Sequence, residues 1–306
     1  TVMEAVSEPL VYVAQVPPSD NDETARHLVV AAYAKPWPGK ISILDAHQTE
    51  LLRINDPSGL GVTKSELPAA PTLSTWDTKT QLQVELFFGH LSSLDKNRVL
   101  NGENRALVNN GNGNWEEIGF ANAKLIAPKT YQLSTLLRGQ NKTEFAAAVS
   151  APQGAKFLVL EGAVRQSIDV EFSQLSAVAG ITSAGTIVEA GELTDQENLP
   201  LAPAHLRTRK LQNGDILISW IRRGRVSGNS WPTGDIPLEP NAPVFTVDIL
   251  SAGAPVRTVE NLVGPYIYTS SQQALDFGSP PNQFQFKVSQ FSQTLGNGHS
   301  ALGVFN

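Results

Sequence analysis

Cysteine is absent from this 306-residue chain. That excludes disulfide staples, thiolate catalysis and zinc–thiolate sites, and it leaves the redox compartment open. Histidine is scarce as well: the five residues 27, 47, 90, 205 and 299 stand far apart, with no His-x-x-x-His pair for zinc. No apolar run reaches the roughly 18 residues of a spanning helix, and no charged-then-apolar leader opens the chain. Charged residues make up 17% of the chain, and their balance is −6, which argues against bulk nucleic-acid or membrane binding. The start, TVMEAVSEPL, has no initiator Met, as expected of a piece of a longer polypeptide.

What is plentiful points to β-structure. Twenty-four Gly and twenty Pro suit many turns between short elements, and a hydrophobic content of 41% is enough for a core. PLVYVAQVP (9–17) predicts a strand, and 19–34 a turn followed by a strand. KPWPGKISILDA (35–46) predicts a proline-framed corner and then a strand. In TQLQVELFF, Leu82, Val84 and Leu86 alternate with Gln81, Gln83 and Glu85, which predicts one buried and one wet face. Asn–Gly pairs at 101–102, 110–111 and 112–113 mark turns, and NWEEIGF is the strand returning from a hairpin. The best helical candidate is 130–149, where Leu133, Leu136 and Leu137 share a helical face and Gly139 can end it. Strands resume over 156–172.

Prolines in ENLPLAPAHLRTRK (197–210) mark a boundary, and seven short strands follow: HLRTRKL, DILISWI, VFTVDIL, PVRTVEN, PYIYTSS, QFQFKVSQF and SALGVF. Seven in about 100 residues predicts an antiparallel β-sandwich of fibronectin type III-like kind. The expected organisation is therefore mainly β: a β-rich domain over 1–155 with one or two short helices, a β-rich connecting segment over 156–198 that completes the first part, and the sandwich over 199–306. Within the sandwich, Ile216, Ile218 and Trp220 lie on one strand face and form the expected core, with Trp220 as its anchor.

The reactive constellations fail one by one. PGK at 38–40 lacks the spacing of a phosphate loop. Asp20, Asp22, Glu23 and His27 lack the glycine bend and the distant bidentate Glu of a calcium loop. No Gly-x-Ser-x-Gly elbow exists. Glu116, Glu117, Glu161 and Glu171 are candidate glycosidase carboxylates, but nothing singles out an acid and a nucleophile. NKT (141–143) matches a glycosylation sequon. Arg222, Arg223 and Arg225, with RTRK (207–210) and Trp231, form a basic, aromatic patch. Asp215, Asp235 and Glu239 lie near it in sequence, so ion pairing and packing are favoured over a polyanion. Arg222, Arg223, Arg225 and Trp231 are the candidate interaction site; no catalytic, cofactor or metal residue is assigned.

Several phrases together resemble the C-terminal region of the large tail-tip hub (baseplate) protein of gene transfer agents and related long-tailed phages. They are AKPWPGKISI (34–43), LNGENRALVNNGNGNWEEIGFANAKLIAPKTYQLSTLLRGQNKTE (100–144), LPLAPAHLRTRK (199–210), ISWIRRGRVSGNSW (218–231) and VSQFSQTLGNGHSALGVF (288–305). One departure is Lys142, where the family pattern has a Gly before Thr143, which implies a changed turn. The resemblance implies a virion structural protein without enzymatic activity or cofactor. It implies a homotrimer at the tail tip, assembled in the bacterial cytoplasm and released with the particle. The implied partners are other tail-tip and distal tail proteins and tail fibres, with a host cell-surface receptor or glycan beyond them; nucleic-acid binding and a membrane span are not expected. Carbohydrate binding is the competing reading, because Trp37, Trp76, Trp115 and Trp231 could stack on sugars if at least two were open to water.

Overall fold

The computed structural model describes residues 8–17, 26–45, 47–168, 175–179, 186–188, 196–224, 243–293 and 295–306. The chain divides into two compact units at Glu197/Asn198. Both are built from antiparallel sheets, so the protein is mainly β, as the alternation and turn residues predict. Among the described residues no helix is long and apolar enough to cross a membrane.

The first unit opens with β1 (Leu10–Val16), β2 (Arg26–Tyr33), β3 (Ile41–Leu44) and β4 (Glu50–Ile54). It continues with β5 (Leu60–Thr63), β6 (Trp76–Phe88), α1 (Lys96–Leu100), β7 (Arg105–Asn109), β8 (Trp115–Ala127), β9 (Thr130–Gln140) and α2 (Glu144–Ala147). It ends with β10 (Lys156–Val159), β11 (Val164–Ile168), β12 (Leu175–Ala179) and β13 (Thr186–Val188). The strands form a three-stranded sheet β1-β2-β11, a four-stranded sheet β13-β12-β3-β4 and a closed barrel β10-β5-β6-β9-β8-β7.

The β1–β2 hairpin is buried on both faces, which explains why LVYVAQV and HLVVAAY contain so few polar residues. Val11, Val13, Leu28 and Val30 pack with Ile41, Ile43, Leu52 and Ile54. Tyr12, Ala14, Val29 and Ala31, on the other face, pack with Leu60, Leu107, Trp115 and Leu158 from barrel strands. Tyr12 loses so much water there that its hydroxyl is pushed up to about 12.

Inside the barrel, Leu82, Val84 and Leu86 join Val108, Ile118, Phe120, Leu133, Leu136 and Phe157. The two-residue period of β6 thus marks its inward face as expected. Turn chemistry does too: Gly111 and Gly113 take positive φ in the loop between β7 and β8, and Asn109 pairs with Trp115. Gly61 allows a close approach where β5 meets β6, because a Cβ there would lie 2.0 Å from the Glu85 carbonyl oxygen. β10 begins at Lys156 and closes the barrel by pairing with both β5 and β7, so the barrel runs past 155/156.

The helix expected over 130–149 is corrected as well. Residues Thr130–Gln140 are strand β9, and only Glu144–Ala147 is helical. The misleading signal has a local cause. Thr135 sits at φ 57° and breaks the strand alternation. Leu133 and Leu136, three apart, therefore both enter the barrel core, while Leu137 packs elsewhere with Val99 and Ala121. That spacing mimics a helical face without a helix.

The second unit contains β14 (Ala204–Lys210), β15 (Ile216–Ile221), β16 (Val244–Ser251), β17 (Ala254–Leu262), β18 (Tyr266–Tyr268), α3 (Ser270–Phe277), β19 (Phe284–Ser292) and β20 (Gly296–Phe305). All seven expected strands are present, in two sheets ordered β14-β15-β18 and β17-β16-β19-β20. One apolar cluster draws on both: Ile216, Ile218, Tyr266 and Tyr268 from the first, Phe245, Val247, Ile249, Phe284, Phe286, Val288 and Phe305 from the second. The segment PYIYTSS is a strand only through Tyr268. Thr269 then opens α3 with a capping box to Gln272, and Gly278 closes it in the left-handed conformation.

Candidate functional site

The candidate site lies where α1, β7, β8 and two barrel turns meet. Asp95 caps α1 by accepting from the backbone N–H groups of Asn97 and Arg98. Gly102, at φ 99°, turns the chain into β7, so Arg105 stands at the barrel's end opposite Gly119. The result is a cavity of about 470 Å³ lined by Glu103, Arg105, Glu117, Asn141, Leu160 and Glu161 among others.

Two of its carboxylates, Glu103 and Glu117, are already paired. Arg105 Nη1 lies 3.0 Å from Glu117 Oε1, with both side chains largely buried. Asn141 Nδ2 donates to the same oxygen at 2.6 Å, and the Glu117 backbone N–H donates to Thr143 Oγ1 at 2.9 Å. Glu103 is paired with Arg98, whose hydrogen bond holds the Glu103 carboxyl below its usual range despite some desolvation. A general acid at neutral pH needs a carboxyl pushed upward by burial. Glu103 is held the other way by its arginine, and Glu117 is fixed in place by Arg105 and Asn141.

The neighbouring carboxylate is committed more deeply still. Arg138, fully buried, binds Glu116 in a bidentate fork: Nε to Oε1 at 2.6 Å and Nη2 to Oε2 at 2.8 Å. Arg138 Nη2 also donates to the Pro68 carbonyl at 2.9 Å, and the Gly139 N–H donates to Glu116 Oε1 at 3.0 Å. Asp77 Oδ2 lies 3.9 Å from Arg138 Nη1. Burial pushes the Asp77 carboxyl up, but hydrogen bonds from Thr80 and Lys79 and the Arg138 charge outweigh it and hold the group below its usual range. Together these contacts tie β6, β8 and β9 into one seam.

The sequence carries a signal for this seam in the phase of its charged residues. Glu116 is in phase with Ile118 and Phe120 on β8, and Arg138 is in phase with Leu136 on β9. A charge in phase with core residues must find its partner inside. The NKT sequon also reads differently in three dimensions, since Asn141 is bound to Glu117 and Thr143 is buried. Lys142 occupies φ 70°, the left-handed region that favours glycine.

In the second unit, Ile216 and Ile218 are buried in the core. Trp220 is half-buried at the margin of that core, in edge contact with Phe245 at 5.2 Å between ring centroids. Arg222 and Arg223 follow the end of β15 and are half-buried; Arg225, Trp231, Asp235 and Glu239 lie outside the described residues, as do Asp20, Asp22, Glu23 and Glu171. Asp215, expected beside the arginines, accepts instead from the Ser270 N–H at 2.8 Å and from Asn213. Arg207 and Arg209 share the outer face of β14. No described tryptophan is exposed: Trp115 is buried, Trp37, Trp76 and Trp220 are half-buried against apolar clusters, and Lys96 covers the Trp76 ring. Among the described residues no group of three or more His, Asp or Glu is placed to hold a metal ion.

Residues 58–158 match the family model described as Rcc01698-like, C-terminal. The match spans the barrel from β5 to β10 and covers a third of the chain. No curated protein matches the chain.

Proposed function

We propose that this chain is a structural component of a phage or gene-transfer-agent tail tip, part of a baseplate hub that builds the distal tail end. In this reading it has no catalytic role. The observation that carries the proposal is the state of the barrel's carboxylates: Glu116 and Glu117, two of the candidate carboxylates, are each bound by an arginine in a fixed pair. Such pairs fix geometry, since removing either partner strands a buried charge. The ordered phrases shared with tail-tip hub proteins support the same reading. The longest of them, residues 100–144, falls inside the stretch matched by the family model.

The second unit is read as a fibronectin type III-like sandwich, supported by its sheet orders β14-β15-β18 and β17-β16-β19-β20 and their common core. Its role is to present surfaces to neighbouring tail proteins, fibres or a host receptor. The proposed assembly is a homotrimer, carried on the virion after assembly in the bacterial cytoplasm.

The test is a deletion of the coding sequence followed by cryo-microscopy of the particles. The expected result is tails that end without a complete tip and fail to attach to host cells, with the missing density fitting the barrel. Particles that retain a complete tip and full attachment would refute the proposal. So would turnover of peptidoglycan or capsular polysaccharide by the purified chain.

A further inference from the structure

Five Asn–Gly pairs stand in the sequence, at 101–102, 110–111, 112–113, 213–214 and 297–298. Asn–Gly is turn chemistry. It is also the dipeptide most prone to lose its side-chain amide, because glycine has no Cβ to keep its own nitrogen away from the preceding side chain. That reaction has three requirements. The glycine N–H must be free of a hydrogen bond, so that it can lose its proton. The asparagine amide must be open to water, and the backbone must be free to bend the nitrogen onto Cγ.

Four of the pairs fail at least one requirement. Asn110 is buried, its Nδ2 donates to the Ala146 carbonyl at 3.4 Å and its Oδ1 accepts from the Asn112 N–H at 3.1 Å. The Gly111 N–H is itself donated to Asn109 Oδ1 at 2.9 Å. Asn213 is tied to Asp215 through Nδ2 to Oδ2 at 2.8 Å and through the Asp215 N–H to Oδ1 at 3.2 Å, and the Gly214 N–H donates to the Leu211 carbonyl at 3.0 Å. Asn297 lies within β20 in register with Phe291, and its Oδ1 accepts from Thr246 Oγ1 at 3.2 Å. Asn101 is exposed, but it caps the end of α1, where the Gly102 N–H donates to the Val99 carbonyl at 3.0 Å.

Asn112 meets all three. It is exposed in the middle of the turn between β7 and β8, and its side-chain amide makes no hydrogen bond among the described residues. The Gly113 N–H donates to no group among them either. The turn is closed below by the Asn110 N–H donating to the Asn114 carbonyl at 3.0 Å, so the freedom to bend belongs to residues 111–113. We propose that Asn112 is a site of spontaneous deamidation and the first of the five pairs to react. The deprotonated Gly113 nitrogen attacks Asn112 Cγ. The Cγ–Nδ2 bond breaks, and the amide leaves as ammonia with the proton that the Gly113 nitrogen gave up. Water then opens the resulting succinimide at one of its two carbonyls. Opening at Cγ gives aspartate on the original backbone, and opening at the main-chain carbon gives isoaspartate, with the backbone routed through Cγ. Either product adds one negative charge at the turn, and isoaspartate lengthens the turn by a methylene. This inference is independent of the tail-tip reading.

The experiment incubates the purified 306-residue chain in mildly alkaline buffer, which favours loss of the Gly113 proton. All five pairs are followed by peptide mapping with fragmentation that separates aspartate from isoaspartate. Residue 112 should convert ahead of Asn101, and at least about tenfold faster than Asn110 and Asn213, whose amides must first leave their hydrogen bonds. It should yield both products, and in water labelled with heavy oxygen it should take up the label. Isoelectric focusing should show an acidic satellite that Asn112→Ser removes. In strong urea, where no hydrogen bond protects any pair, the five rates should converge. The proposal is overturned if another pair converts before residue 112 in the folded chain, or if residue 112 yields aspartate without isoaspartate. It is also overturned if the folded chain keeps Asn112 intact while the urea-unfolded chain loses it.

Discussion

Replacing Arg138 by Met should destabilise the first unit more than its volume change suggests. Methionine is close to the arginine stem in length, so little cavity is left, and the cost is electrostatic. Glu116 would keep only the Gly139 N–H, the Pro68 carbonyl would lose a donor, and Asp77 would lose the nearby positive charge. Removing one partner of a buried pair costs about 3–5 kcal/mol. For a unit of this size that lowers the melting midpoint by roughly 6–20 °C. The double variant R138M/E116L removes both charges, and apolar replacement of a buried pair is often neutral, so most of the loss should return. The assay is urea unfolding followed by far-ultraviolet circular dichroism and by tryptophan fluorescence, with the second unit's transition as an internal control. The denaturant slope should stay constant across the cycle, since the surface exposed on unfolding barely changes. The reasoning fails if R138M unfolds within about 1 kcal/mol of the unaltered chain, or if the double variant is as unstable as the sum of the single ones.

Two further outcomes concern the second unit. Ile218→Ala should cost about 2–5 kcal/mol, since Ile218 is fully buried, and Trp220→Ala should cost less than its full burial would, about 2–3 kcal/mol, because the ring is only half-covered; thermal unfolding of the two variants gives the order. Burial pushes the Asp276 carboxyl up, but its bonds to Arg257 (2.6 Å) and Tyr268 (2.7 Å) outweigh that and hold it below its usual range. A lowered folded value means stability that is present above the ordinary carboxyl range and lost as pH falls through the folded value, so part of the acid sensitivity below about pH 4 should disappear in Asp276→Asn, read as melting midpoint against pH.

Much of the architecture was legible because its causes are local. Period-two alternation marked the inward face of β6, and all seven strands of the second unit stood out between turn residues. One local signal was overlooked: Thr269 and Gln272, with Gly278 beyond, spell out both ends of α3. Another misled, because Leu133 and Leu136 share a face through the irregular φ of Thr135 and not through helical winding. The candidate site was less legible still. Glu117 was visible as one carboxylate among several, but its partners Arg105 and Asn141 are 12 and 24 residues away.

By itself, then, the order of residues determined that this is a β-protein, where its turns fall and which side chains its strands turn inward, because each depends on a backbone preference or on burial acting over a few neighbours. Tertiary structure alone decided that β10 closes a barrel and that Arg138 meets Glu116. It also decided that Leu125 and Ile126, at the turn between β8 and β9, are exposed. Those outcomes depend on which distant segments meet, and loop closure and packing settle that across the whole unit at once.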